Sequence, residues 1–255
     1  HPDCDLRCVD HVDEVIKYES PATVAAVLLE THTGGAGFFA PPKGYYERLR
    51  EICDRHGVLL VLDEVMVGMG RTGEWFAIDH YDDVVPDIMT LAKGLTCGYV
   101  PLGCVCVSDR IMSKLDEEML YAGLTYNAHP LACGTASAVL GVLQEERLIE
   151  NARALGVVAR EVLDEIASRR RCVGDVRGTG LFFGLDLVAD RASREPLPAA
   201  LAGGIQERLL ARGLSTNVMG SCLFVGPPLI ITEEELREGL AIIDGILADV
   251  DGELE

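Results

Sequence analysis

The sequence predicts an α/β protein, with a mainly parallel sheet and its helices over residues 1–146 and a small α+β domain over residues 147–255. Three observations lead there. Val58-Leu59-Leu60-Val61-Leu62 is a continuous apolar run, the pattern of a parallel strand covered on both faces. Strand-like and helix-like segments alternate around it. After Glu146 the alternation stops, and two long amphipathic segments bracket short strands and glycines.

Taken in order, Val24 to Leu29 is a strand reaching Glu30, Lys43 to His56 an amphipathic helix, and Val58 to Leu62 the next strand. Strand, helix, strand at this spacing implies a right-handed parallel crossover. Ile88-Met89-Thr90-Leu91-Ala92 is a further strand, and Gly103 to Val107 a later one of the same sheet. Pro130 to Gln144 is a long helix of small residues. In the second region Arg147 to Ser168 and Ala199 to Arg212 carry helical spacing. Val173 to Val188 holds short strands around Gly178, Gly180 and Gly184, and Leu223-Phe224-Val225 is another strand. Glu233 to Ala248 closes the chain as a helix, with Thr232 as N-cap and Glu233-Glu234-Glu235 as its acidic first turn. Residues 189–198 form the one floppy loop expected.

At 255 residues and 49% apolar content the chain buries a sizeable core in one large and one small domain. It has no run of eighteen apolar residues, no signal peptide and no basic targeting segment, which points to a soluble, cytoplasmic protein. Nine cysteines are scattered, and Cys97, Cys104, Cys106 and Cys133 lie in apolar stretches, as reduced core thiols do. His1, Cys4, Cys8 and His11 are spaced too loosely for structural zinc, and no metal site is expected.

Of the four lysines, Lys17, Lys43 and Lys114 stand in polar surroundings, whereas Lys93 follows Ile88 to Ala92 and precedes Gly94. Its amine is expected in an apolar, partly desolvated place that favours the neutral nucleophile needed for a Schiff base. Asp63 stands at the carboxyl end of the Val58–Leu62 strand, the edge where open α/β sheets bind ligands. One carboxylate and one lysine at the ends of neighbouring strands suit pyridoxal phosphate (PLP): the aspartate keeps a pyridine nitrogen protonated and the lysine carries the aldehyde. Taken alone, Lys93 also fits a side chain snorkelling from a strand end, and Asp63 an N-cap or structural ion pair.

With these residues the chain resembles the class III PLP-dependent aminotransferases, the ornithine or omega-aminotransferase group. The matching stretches are Leu62 to Gly73, Pro86 to Leu95, Gly98-Tyr99-Val100-Pro101-Leu102-Gly103, Thr125 to Cys133, Val176 to Leu181 and Pro227-Pro228-Leu229. The resemblance implies a fold type I PLP-dependent transferase. Asp63 is then on the pyridine nitrogen, Val65 against the ring, Met66 beside the ring hydroxyl where many members have Gln, and Lys93 covalently carrying the cofactor. Thr125 is on the phosphate of a neighbouring subunit's PLP, so a homodimer with its active site at the interface is implied. The part that precedes His1 in longer members, including the phosphate loop and a ring-stacking aromatic, is not in this chain, which therefore resembles the carboxyl-terminal portion of such an enzyme.

The implied reaction is transamination of an amine or omega-amino acid with a keto acid such as pyruvate. Phe224 stands where many members carry a carboxylate-binding Arg, and Asn217 roughly where another subgroup has a mobile one. Arg177 or Arg212 then remains for a carboxylate, with Arg177 also suited to a structural role. Glu30-Thr31-His32-Thr33-Gly34 departs from the usual Glu-Pro pair, so His32 is either a pocket residue or a loop histidine filling space. Decarboxylase, aminomutase or racemase chemistry on the same Asp–Lys core, and an inactive fragment or assembly subunit, are the alternatives.

The net charge of −19 comes from 41 acidic residues against 18 Arg and only 4 Lys. Nucleic acid and anionic membrane surfaces are poor partners for such a surface. An acidic, lysine-poor surface also suits salt adaptation, because salt screens its self-repulsion. Salt adaptation predicts a melting temperature that rises between low and molar potassium chloride. A flat response in the same calorimetric series points instead to the Arg-for-Lys bias of a GC-rich genome.

Overall fold

The computed structural model describes residues 4–115 and 119–254, which form two compact units. The first comprises residues up to His32, Pro41–Met69 and Phe76–Glu146; the second comprises Thr33–Ala40, Gly70–Trp75 and Arg147 onward.

The first unit contains α1 (Arg7–Glu19), β1 (Ala26–Glu30), α2 (Tyr45–His56), β2 (Leu59–Asp63), β3 (Ile88–Leu91), β4 (Cys104–Val107), α3 (Asp109–Leu115) and α4 (Pro130–Glu145). The sheet order is β1-β2-β3-β4, parallel except for β4, which runs antiparallel to β3. The expected strand over 103–107 is therefore correct in place, with its direction opposite to the others. Such a mixed edge is common on parallel sheets. Helix α1 was not evident in the sequence: its apolar content is low, and only Val9 and Ile16 are buried.

Helix α2 buries Tyr46, Leu49, Ile52 and Cys53, one face of a helical wheel, and ends on Gly57 at φ 67°, where a left-handed residue costs least. This face packs with Val27, Leu29, Leu60, Leu62 and Met89 into one core. The register makes Leu29, Leu62, Met89 and Cys106 neighbours on that side of the sheet. Glu30, Asp63, Thr90 and Val105 are neighbours on the other.

Asp87, 3% exposed, ties the start of β3 to its surroundings. Its Oδ2 accepts the Leu60 N–H at 2.8 Å and an Arg50 N–H at 2.9 Å, and its Oδ1 accepts Arg110 Nε–H at 3.0 Å. Burial works against the charged carboxyl, but these donors outweigh it and hold its pKa below the ordinary value.

The second unit contains α5 (Leu148–Arg169), β5 (Val173–Thr179), β6 (Phe182–Asp190), β7 (Glu195–Pro196), α6 (Ala199–Ala211), β8 (Val218–Met219), β9 (Cys222–Val225) and α7 (Glu233–Glu253). Its antiparallel sheet has the order β5-β6-β9-β8, with β7 paired to β6. Gly180 opens the two-residue β5–β6 turn at φ 58°, and a Cβ there would lie 2.2 Å from the Thr72 carbonyl carbon. Only glycine fits both demands. Helix α7 begins with a capping box between Thr232 and Glu235 and buries Leu236, Leu240, Ile243, Ile246, Leu247 and Val250. Residues 189–198 are not a free loop. Asp190 pairs with Glu195 and Val188 with Pro196, and Asp190 Oδ1 accepts the Ser193 N–H at 2.7 Å.

The thiols also differ from expectation. None of the nine forms a disulfide, and Cys53 and Cys172 are the buried ones. Cys97, Cys106 and Cys133 are exposed and Cys104 is half-buried, because apolar sequence neighbours on an edge strand or helix surface do not enclose a side chain. Among the described residues no group of three or more His, Cys, Asp or Glu forms a metal site; His1 lies outside them.

Replacing Asp87 by Ala leaves the Leu60 N–H and the half-buried Arg50 without their partner. The expected loss is about 3 kcal/mol of unfolding free energy, measured by urea denaturation, as for other broken buried ion pairs.

Candidate active site

The parallel pairing of β2 and β3 brings the two sequence-selected groups to one edge of the sheet. Asp63 ends β2 and is in register with Thr90, and the chain passes Leu91 to reach Lys93 three residues beyond. Asp63 Oδ1 accepts the Val65 N–H at 2.8 Å, a local turn that orients the carboxylate as the chain leaves the strand. Asp63, Val65 and Met66 are all half-buried.

Lys93 opens a single 3-10 turn, Lys93–Leu95, with φ 39°. A left-handed conformation at a non-glycine residue is uncommon, and such strain gathers at functional positions. Gly94 is required beside it: a Cβ there would lie 2.9 Å from Met69 Cβ. Lys93 itself is exposed, contrary to the apolar enclosure expected from its neighbours. The apolar run belongs to β3, which ends at Leu91; in the turn that follows Leu95 is buried, whereas the Lys93 side chain points outward.

Glu64, adjacent to Asp63, is a residue the sequence reading passed over. It is 1% exposed, and its Oε2 and Oε1 accept the Ala77 and Ile78 N–H groups at 2.9 Å each. Burial raises its pKa, and those two N–H groups oppose the rise. Its role is to anchor the 3-10 turn Ala77–His80 to the end of β2, on the buried side away from Asp63.

Thr125 lies in an exposed turn before α4, within an exposed stretch that includes Leu124 and Tyr126. His129 caps α4, its Nδ1 accepting the Leu131 N–H at 3.2 Å.

His32 is not open to a pocket: it is 3% exposed. Tyr81 OH donates to the Pro41 carbonyl at 2.7 Å, so the 3.1 Å contact of His32 Nε2 with the same hydroxyl is a donation from the ring. Nδ1 is then a bare acceptor, buried without a partner. His80 stacks on the ring at 5.7 Å, and burial, with His80 adding, pushes the His32 pKa down to about 4. His32 is thus a neutral interior residue, and the space-filling alternative is the one its surroundings favour.

Arg177 belongs to the second unit and is already engaged. Its guanidinium lies 4.4 Å over the Phe39 ring, with Asp186 at 3.5 Å and Asp175 at 3.7 Å. Arg212 pairs with Asp249 at 2.7 Å. Phe224, which stands where the resemblance puts an arginine in many members, stacks on Phe38 at 5.0 Å and meets Phe182 edge-on at 5.8 Å in an aromatic cluster. Another unanticipated cation is Arg71, whose guanidinium donates to the Leu181 carbonyl at 3.0 Å and the Pro227 carbonyl at 2.6 Å. It holds together three of the stretches that stood out in the sequence.

The donor chemistry at the sheet edge fits PLP: an oriented carboxylate beside a strained lysine with its side chain accessible. Because the folded state holds His32 neutral while the unfolded chain protonates it near its ordinary value, unfolding takes up a proton below pH 6.5. Stability conferred by the neutral ring is complete above that pH and falls toward pH 4, by at most about 1.4 kcal/mol per pH unit. His32→Gln should flatten this part of the pH–stability curve in denaturant titrations.

Comparison with known proteins agrees with this geometry. The model of the family described as aminotransferase class-III matches residues 2–247. The taurine–pyruvate aminotransferase of Bilophila wadsworthia is 34% identical over 98% of this chain and 60% of its own length. The omega-aminotransferase of Caulobacter vibrioides is 36% identical over 98% of this chain and 57% of its own. Among solved structures, taurine:2-oxoglutarate aminotransferase from Bifidobacterium kashiwanohense, in complex with PLP and glutamate, superposes with a TM-score of 0.93 at 39% identity, covering 97% of this chain and 56% of that one. The chain thus spans somewhat over half the length of the relatives it matches, and by sequence and fold it belongs to the class-III aminotransferases.

Proposed function

We infer that the chain is part of a PLP-dependent transaminase that takes an amine or omega-amino acid as donor and a keto acid such as pyruvate as acceptor. The observation that carries this reading is the joint placement of Asp63 and Lys93 at the carboxyl edge of the β2–β3 pair. Names of the relatives, which include taurine and omega-amino acid enzymes, support the donor class.

Bound PLP supplies an electron sink for the carbanion formed at the amine-bearing carbon. Asp63 would keep a proton on the pyridine nitrogen; its Oδ1 accepts the Val65 N–H, which leaves Oδ2 for that contact. Lys93 Nζ would hold the cofactor covalently and, when free, would serve as the base that takes and returns the proton of the amine-bearing carbon. Val65 would lie against the ring, and Met66 would stand beside the ring hydroxyl where many members have Gln. In this reading residues 1–146 are the carboxyl-terminal part of the large PLP-binding domain, and residues 147–255 the small domain.

The same reading makes the protein a cytoplasmic homodimer, with Thr125 reaching a phosphate on the partner's side. Support comes from the exposed apolar residues around Thr125, with Tyr121 94%, Leu124 79% and Tyr126 79% exposed. Nine cysteines without a disulfide fit a reducing compartment. Among the described residues no helix is long and apolar enough to cross a membrane. Arg177, held by two carboxylates and Phe39, contributes to a substrate carboxylate site only if those partners yield, whereas an amine donor without an acidic group does not need it.

Reduction of a PLP-treated sample with borohydride, followed by peptide mapping, tests the assignment. Stoichiometric labelling at Lys93, abolished in Lys93→Ala and weakened by tenfold or more in Asp63→Asn, about 1.4 kcal/mol in binding, is the expected outcome. Scattered labelling that persists in Lys93→Ala overturns the assignment of Lys93.

A further inference from the structure

Strand β4 places a second chemical feature on the opposite side of the sheet. Cys104 and Cys106 are two residues apart on this strand, so their side chains share a face, and their Sγ atoms are 3.9 Å apart. Met89 on β3 is the direct cross-strand neighbour of Cys106, and Leu91 that of Cys104. The face therefore presents two thiols and a thioether, with Leu62 as the next neighbour beyond Met89. Asp63 faces the other way.

A disulfide is a poor use of this pair. Two positions along an extended strand separate Cα atoms by about 6.4–6.8 Å, the upper end of disulfide geometry. A bridging ion fits without moving the backbone, because two thiolates about 2.3 Å from one centre, at trigonal or tetrahedral angles, stand about 3.8–4.0 Å apart. Zinc and the hard cations need more nitrogen, oxygen or thiolate ligands. Among the described residues no third His, Cys, Asp or Glu completes such a group. Sulfur-only ligation with low coordination number selects a soft ion.

We propose that Cys104 and Cys106, with Met89 beside them, bind a soft monovalent cation of the copper group, Cu(I) being the representative ion. Binding forms two metal–sulfur bonds and releases both thiol protons, with no change of oxidation state.

Anaerobic titration of the full chain with Cu(I) against a chromogenic chelator tests this directly. The tightest step should take one ion per chain and release about two protons. Its affinity should fall by at least about 100-fold in Cys104→Ser/Cys106→Ser and by about tenfold in Met89→Leu, and be unchanged in Cys97→Ser/Cys133→Ser. Copper X-ray absorption of the wild-type complex guards against a double variant that fails to fold: a shell of sulfur alone is expected. Nitrogen or oxygen ligands, or a tightest step that survives in the folded double variant, overturns the proposal.

Discussion

The arrangement of the first unit depends on the register between β2 and β3, and that register rests on Asp87. One carboxylate accepts the backbone N–H of Leu60 in the adjoining strand and side-chain N–H groups from Arg50 on α2 and Arg110 on α3. The Asp87 N–H donates in return to the Leu60 carbonyl at 2.9 Å. A buried charge is tolerable only when its lone pairs are filled, and here filling them joins two strands and two helices. With Leu60 and Asp87 locked at one end, parallel geometry delivers Asp63 and the Lys93 turn to the same edge at the other.

A single sheet then divides its labour between two faces. Leu29, Leu62 and Met89 turn toward α2 and form the core, so the opposite side is left to Asp63 and Thr90. That side remains open at the edge strands, where Leu28 is 67% and Val105 63% exposed. Glu64 shows how closely the two roles adjoin. One residue after Asp63, it turns into the interior and its carboxylate is consumed by the Ala77 and Ile78 N–H groups. Two consecutive acids thus serve different ends, because alternation at a strand terminus sends neighbouring side chains to opposite faces.

In the second unit the recurrent theme is close backbone approach. Gly180 meets Thr72, a Cβ on Gly156 would clash with the Gly180 backbone, and Arg71 ties the Leu181 and Pro227 carbonyls together. The Arg-Gly-Thr-Gly and Pro-Pro stretches that carry the family likeness are therefore packing determinants of this unit. Phe38, Phe182 and Phe224 form its aromatic cluster.

The sequence by itself determined the α/β class, the positions of β1 to β3 and of the long helices, and the placing of Asp63 at the end of one strand with Lys93 just beyond the next. Periodicity and strand-end chemistry are local properties, and the Gly and Pro signals lie next to the elements they delimit. Tertiary structure alone decided the rest. The antiparallel direction of β4, the inward turn of His32 onto Tyr81, the exposure of Lys93 and of Cys106, and the hairpin within 189–198 all depend on what packs against a segment from elsewhere in the chain. An apolar neighbour in sequence cannot cover a side chain that leaves the sheet; only a neighbour in space can.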